Sequence, residues 1–113
     1  MKKIILIFLV TLMGINVQAQ EKKNKNTKYD ITVSGNCEMC KIRIEKAAYS
    51  VAGIKTANWH VDNETLYLIM NENKTDVGMI QKAIAKVGYD TQDLKATEEA
   101  YSKLPDCCAY GRE

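Results

Sequence analysis

Apolar residues along this chain change spacing from one segment to the next, and those changes predict its elements. Tyr29-Asp30-Ile31-Thr32-Val33 alternates and is rich in β-formers, which predicts a strand. Ser34-Gly35-Asn36 then turns the chain. From Glu38 to Val51 the apolar residues Ile44, Ala47, Ala48 and Val51 recur at helical spacing, and Gly53 stops that helix. Ile54–Val61 and Thr65–Met70 read as two strands joined by Asp62-Asn63-Glu64, with Ala57, Trp59 and Val61 on one inward face and Leu66, Leu68 and Met70 on the other. Asp76–Val87 is helical again, with Val77, Ile80, Ile84 and Val87 inward; Gly88 ends it, and Tyr89–Ala96 is placed as a last short strand. The order is β-α-β-β-α-β. It predicts an α+β, ferredoxin-like sandwich, a four-stranded antiparallel sheet with two helices on one face. A short helical tail, Glu98–Leu104, follows and is ended by Pro105.

Composition changes this picture mainly at the ends. Lys2 and Lys3, an apolar run from Ile4 to Ile15 and the small residues before Gln20 make a secretory signal pattern, with cleavage expected after Ala19. The run contains Thr11 and Gly14 and is shorter than the roughly 20 apolar residues of a spanning helix. The expected layout is therefore signal peptide 1–19, flexible polar leader 20–28, one globular domain 29–97 and a C-terminal extension 98–113. The protein is then exported, periplasmic or secreted, with no membrane attachment after cleavage. Loss of Lys2 and Lys3 brings Lys and Arg down to equality with the 14 acidic residues. A formally neutral domain offers no basic surplus for nucleic acid.

Four cysteines remain, and they fall in two tight pairs, Cys37/Cys40 and Cys107/Cys108. A disulfide within either pair closes only a tiny loop and stabilises little, so ligand or redox chemistry explains the clustering better. Cys37 falls in the strand-to-helix loop and Cys40 in the first helical turn, on the same side. The free N–H groups and partial positive charge of a helix N-terminus favour the thiolate, the form that binds metal or attacks a disulfide; Lys41 adds positive charge nearby. Two thiolates without a neighbouring His or carboxylate suit a soft ion of low coordination number, with Cu(I) first and Hg(II) or Zn(II) as alternatives. Structural zinc needs four ligands, and the second pair lies about seventy positions away. His60 is expected at the surface.

The residues Val33-Ser34-Gly35-Asn36-Cys37-Glu38-Met39-Cys40, the two helices and Val87-Gly88-Tyr89-Asp90 resemble the heavy-metal-associated domain family over residues 29 to 96. That family includes copper chaperones, the metal-binding domains of copper-transporting ATPases and the periplasmic mercury-binding protein. The resemblance implies that Cys37 and Cys40 are the metal ligands. It implies that the ion passes by thiolate exchange to a metal transporter or another metallochaperone, and that Tyr89 stands beside the site. The family usually has Gly-Met-x-Cys before the helix. Here the loop reads Gly35-Asn36-Cys37, one residue shorter and without the methionine that packs beneath it; Met39 lies between the cysteines.

The second pair has several possible uses. A last strand carries the chain about 20 Å from the loop end, the tail helix returns it about 10 Å, and an extended Leu104–Cys107 adds about 10 Å. Cys107 and Cys108 can therefore just come back to Cys37 and Cys40, and one reading is that they complete a three- or four-thiolate site. Otherwise they hold a separate ion, form disulfides, or bridge two chains into a metal- or disulfide-linked dimer. No acid-base constellation, nucleophile elbow or phosphate loop is present, so the chain reads as a binding protein, not an enzyme. The rival reading is a thiol-disulfide redox protein, against which stands the lack of a proline near the CxxC pair: Pro105 lies beyond the fold.

Overall fold

A computed structural model describes residues 24–112; the signal-pattern segment and most of the polar leader lie outside the described residues. Strand β1 spans Thr27–Thr32, β2 Ile54–His60 and β3 Thr65–Met70. Helix α1 spans Glu38–Tyr49, α2 Val77–Lys86 and α3 Glu98–Ser102, and a 3-10 turn covers Asp106–Cys108. Order begins earlier than Tyr29, because Glu72 N–H donates to the Asn24 carbonyl at 3.0 Å and Thr27 already pairs with Met70.

The sheet order is β1-β3-β2, all antiparallel. Thr32 and His60 both pair with Thr65, which brings the end of β1 and the β2–β3 turn to one end of the sheet. Buried Ile31, Ala57, Trp59, Leu66, Leu68 and Met70 point to the helices, as their alternation requires. Val61 is the exception among the expected inward residues: β2 ends at His60, so Val61 falls in the turn and is exposed. On α1 the buried stripe is Cys40, Ile44, Ala47 and Ala48, and on α2 it is centred on Ile80 and Ile84. Asp76 caps α2 by accepting from Met79 N–H at 2.9 Å. Among the described residues no helix is long and apolar enough to cross a membrane.

The expected fourth strand is reduced to one bridge, Val33 with Thr91, so among the described residues the sheet has three strands. The cause is a polar clamp. Gln81 on α2 is buried, and its Oε1 accepts from the Thr91 hydroxyl at 2.7 Å and from Asp93 N–H at 2.9 Å. Thr91 N–H then donates to the Leu94 carbonyl at 2.8 Å. Those bonds curl the chain into a turn where a strand would continue. The curl also delivers α3 onto Gly88, whose φ of +108° and whose hypothetical Cβ, 2.9 Å from the Ala100 carbonyl, leave room only for glycine.

Candidate metal centre

The β1–α1 loop is built on Trp59. That side chain is 1% exposed, and its indole N–H donates to the Val33 carbonyl at 2.9 Å. A Cβ on Gly35 would lie 2.9 Å from the indole ring, so glycine lets the loop rest directly on it. The space under a loop that lacks the methionine is thus filled from β2. On the other side, Ser34 N–H donates to the Asp90 carbonyl at 2.9 Å, tying the loop to the segment after α2.

Cys37 is the N-cap residue of α1, and Cys40 begins its buried stripe. Their sulfurs are 3.5 Å apart. Cys40 Sγ is 3.2 Å from Asn36 Oδ1, which accepts from the thiol. The tail returns to this point: Cys108 Sγ is 3.9 Å from Cys37 Sγ, and the sulfurs of Cys37, Cys40 and Cys108 all lie within 4.8 Å of one another. Cys107 does not join the cluster. It is exposed, its sulfur is 3.9 Å from that of Cys108, and its carbonyl accepts from Cys37 Sγ at 3.1 Å.

Three side chains beyond the cysteines hold the tail in place. Arg112 makes a two-pronged ion pair with Asp90, both contacts at 3.0 Å, and donates to the Ala96 carbonyl at 2.7 Å. The buried Tyr110 hydroxyl donates to the Gly88 carbonyl at 2.9 Å and accepts from Asp90 N–H at 2.8 Å. Tyr101 donates its hydroxyl to the Tyr110 carbonyl and packs edge-on against that ring. Sequence reasoning missed Asn36, Asp90, Tyr110 and Arg112. The only local signal was the aromatic and cationic character of Tyr101, Tyr110 and Arg112 around the cysteine pair.

Tyr89 lies in the same buried cluster as Cys40 and Cys108. It is fully buried and stacks on Tyr110 at 5.8 Å, and among the described residues its hydroxyl has no hydrogen-bond partner. Lys41 is used differently from the expectation. Its ammonium is bound to Glu45 at 2.6 Å, Asn58 at 2.7 Å and the Trp59 carbonyl at 2.9 Å, so it ties α1 to β2. His60 is exposed and packs edge-on against Tyr67.

The thiols differ in acidity. Burial works against the Cys37 thiolate, but the Cys40 backbone N–H, the Cys40 and Cys108 thiols and the Met39 N–H outweigh it and lower its pKa below 9.0. Burial pushes Cys40 up to about 11, only partly offset by the Asn36 backbone N–H. Cys108 and the Tyr89 phenol are also raised, chiefly by burial. Iodoacetamide at neutral pH is therefore expected to modify Cys37 faster than Cys40, read by peptide mass mapping; equal rates would contradict the asymmetry. Stability follows the same shifts. Cys40 favours the metal-free fold below pH 9.0, and this is lost as pH climbs toward 11 through its folded value. Cys37, being lowered, works in the opposite direction and favours the fold above its depressed value. Cys108, Tyr89 and Tyr110, all raised chiefly by burial, act in the same sense as Cys40, so melting temperature should fall between pH 9 and pH 11.

No protein-family model matches the chain. A copper-exporting P-type ATPase of Staphylococcus saprophyticus subsp. saprophyticus is 30% identical over 80 residues, 71% of this chain; the chain spans about a tenth of that protein's length, 10%. Among solved structures, a CopZ metallochaperone is 26% identical with a TM-score of 0.56, over 57% of this chain and 98% of that one. The N-terminal domain of a potential copper-translocating P-type ATPase from Bacillus subtilis, in its Cu(I)-loaded state, is 28% identical with a TM-score of 0.57, over 63% and 89%. Oxidized MerP from Ralstonia metallidurans CH34 is 25% identical with a TM-score of 0.51, over 58% and 96%. In fold and in sequence, then, this chain resembles the heavy-metal-associated domain family, with a copper chaperone, copper-ATPase domains and MerP among its structural neighbours.

Proposed function

We propose that this protein binds a soft metal ion, Cu(I) in the first place, through Cys37 and Cys40, and hands it on by thiolate exchange. The observation that carries the reading is the close group of sulfurs at the N-terminus of α1, with the Met39 and Cys40 N–H groups favouring charge on Cys37. Thiolates select soft ions over the hard cations that carboxylates and carbonyls prefer. The copper named in the relatives supports Cu(I) over Hg(II) or Zn(II). The role is carriage, with a metal transporter or a second metallochaperone as the receiving partner. The signal pattern of residues 1–19 supports action outside the cytoplasm, and a native chain recovered there should begin at Gln20 by N-terminal sequencing. Anaerobic titration of the reduced protein with Cu(I) in the presence of a chromogenic competitor tests the main reading. One tightly held ion per chain is the expected result; no retention against the competitor would reject it.

One observation favours a second reading. A lowered, half-exposed Cys37 next to a raised, buried Cys40 is the asymmetry of an attacking and a resolving thiol in disulfide exchange. Under that reading a mixed disulfide forms at Cys37 and resolves through Cys40. Trapping with Cys40→Ser and a small-molecule disulfide should then accumulate the Cys37 adduct, and a protein that exchanges no faster than free cysteine excludes redox exchange as the function.

A further inference from the structure

We propose that Cys108 is the third ligand of a trigonal Cu(I) site, so that the C-terminal extension supplies part of the metal centre. This inference rests on the metal-binding reading above and adds the coordination number and the origin of the third sulfur.

The spacing of the sulfurs is the first argument. With metal–sulfur bonds of about 2.3 Å, a linear two-thiolate ion needs its sulfurs about 4.6 Å apart, whereas a planar three-thiolate ion needs about 4.0 Å along each edge. Cys37 and Cys40 stand at 3.5 Å, Cys37 and Cys108 at 3.9 Å, and no sulfur of the three is more than 4.8 Å from another. The triangle accepts an ion after small movements. The pair alone would have to spread by about 1 Å, measured against the bond length used above.

The second argument is that the third sulfur is held. Cys108 is fully buried against the core, and the segment that carries it is fixed by Arg112 on Asp90 and by Tyr110 on Gly88 and Asp90. Asp90 also accepts, through its main chain, from Ser34 in the loop that precedes Cys37. The tail and the metal loop therefore share an anchor, and the third ligand is positioned before any ion arrives. The Tyr89 hydroxyl is the third argument. It is buried in the same cluster as Cys40 and Cys108, and among the described residues it has no hydrogen-bond partner. A thiol sulfur is a poor acceptor, whereas a metal-bound thiolate is a good one, so the ion would satisfy a donor that is otherwise stranded.

Loading replaces thiol protons by Cu–S bonds and releases those protons to solvent; copper stays Cu(I) and no electron moves. Transfer then requires the Cu–Cys108 bond to break as a bond to the partner's thiolate forms. An incoming sulfur displaces the tail in place of adding to an open two-coordinate ion. Cys107, exposed and outside the triangle, is not a ligand in this arrangement.

X-ray absorption on the full chain loaded anaerobically with Cu(I) should count three sulfurs in the wild type, two in Cys108→Ser and three in Cys107→Ser. Competition against bicinchoninate should show roughly hundredfold weaker retention in Cys108→Ser, at or beyond the upper end of what outer-sphere changes cost at metal sites. Two sulfurs in the wild-type protein overturn the proposal without recourse to any variant. An unchanged sulfur count or affinity in Cys108→Ser overturns it equally. A wild-type protein that takes up no Cu(I), or a Cys37→Ser/Cys40→Ser form that binds as before, overturns the underlying metal-binding reading instead.

Discussion

Replacing Cys37 and Cys40 together by serine is expected to weaken Cu(I) binding by at least about four orders of magnitude. The scale comes from structural metal sites, in which about 10–16 kcal/mol is shared among four ligands, or roughly 2.5–4 kcal/mol per thiolate. Losing two thiolates then removes about 5–8 kcal/mol, and each 1.4 kcal/mol is a factor of about ten. Serine does not compensate, because its neutral hydroxyl is a hard, weak ligand for a soft ion. The fold should survive the change. Cys37 is half-exposed, and the new hydroxyl at position 40 keeps Asn36 Oδ1 as an acceptor at the place where the thiol now donates. Competition titration measures the affinity while far-UV circular dichroism follows the fold. A folded double variant that still binds within tenfold of the wild type would place the centre elsewhere in the molecule.

Trp59→Ala should be the most destabilising single truncation in the core, by about 3–5 kcal/mol. Trp59 is the largest fully buried side chain and carries two separate duties. Its ring is the floor on which Gly35 rests, and its indole N–H satisfies the Val33 carbonyl at 2.9 Å. Alanine opens a cavity beneath the loop and leaves that carbonyl unpaired. For a domain of this size about 4–8 °C accompanies each kcal/mol, so the melting temperature should drop by about 12–40 °C. The same cavity frees the loop that carries Cys37, so Cu(I) affinity should fall although no ligand has changed. Trp59→Phe keeps most of the floor and should recover most of the stability. Thermal melts followed by circular dichroism decide the matter, and a loss below about 1 kcal/mol would mean that the loop is supported in another way.

How the tail is used separates what was legible in the chain from what was not. Period-two alternation in β1, β2 and β3 and the 3.6-residue stripes of α1 and α2 are local properties, and burial follows from them directly: Leu66, Leu68, Met70, Ile80 and Ile84 are inward for the reason their spacing implies. The position of Cys37 and Cys40 is equally local, since a cap residue and the residue three later must share a side of the helix. Val61 was misplaced by one residue of strand length, a boundary that only hairpin geometry sets. Tyr89–Ala96 has strand-like composition, but its fate hangs on Gln81, a polar residue on α2 whose bonds to Thr91 and Asp93 curl the chain. No pattern within the segment carries that information.

Spacing along the chain was enough for the first five elements in order, for their inward faces apart from Val61, and for two thiols at the start of α1, because each follows from neighbours along one helix or strand. Which of the remaining cysteines approaches them was decided only in three dimensions. Reach allowed both tail sulfurs to return, yet adjacent side chains diverge, and the anchoring of Arg112 on Asp90 and Tyr110 on Gly88 turns Cys108 inward and leaves Cys107 at the surface. Lys41 shows the converse case: charge near a thiol pair in sequence became a bridge to Asn58 and Trp59, because β2 offers the half-buried ammonium two acceptors beside Glu45.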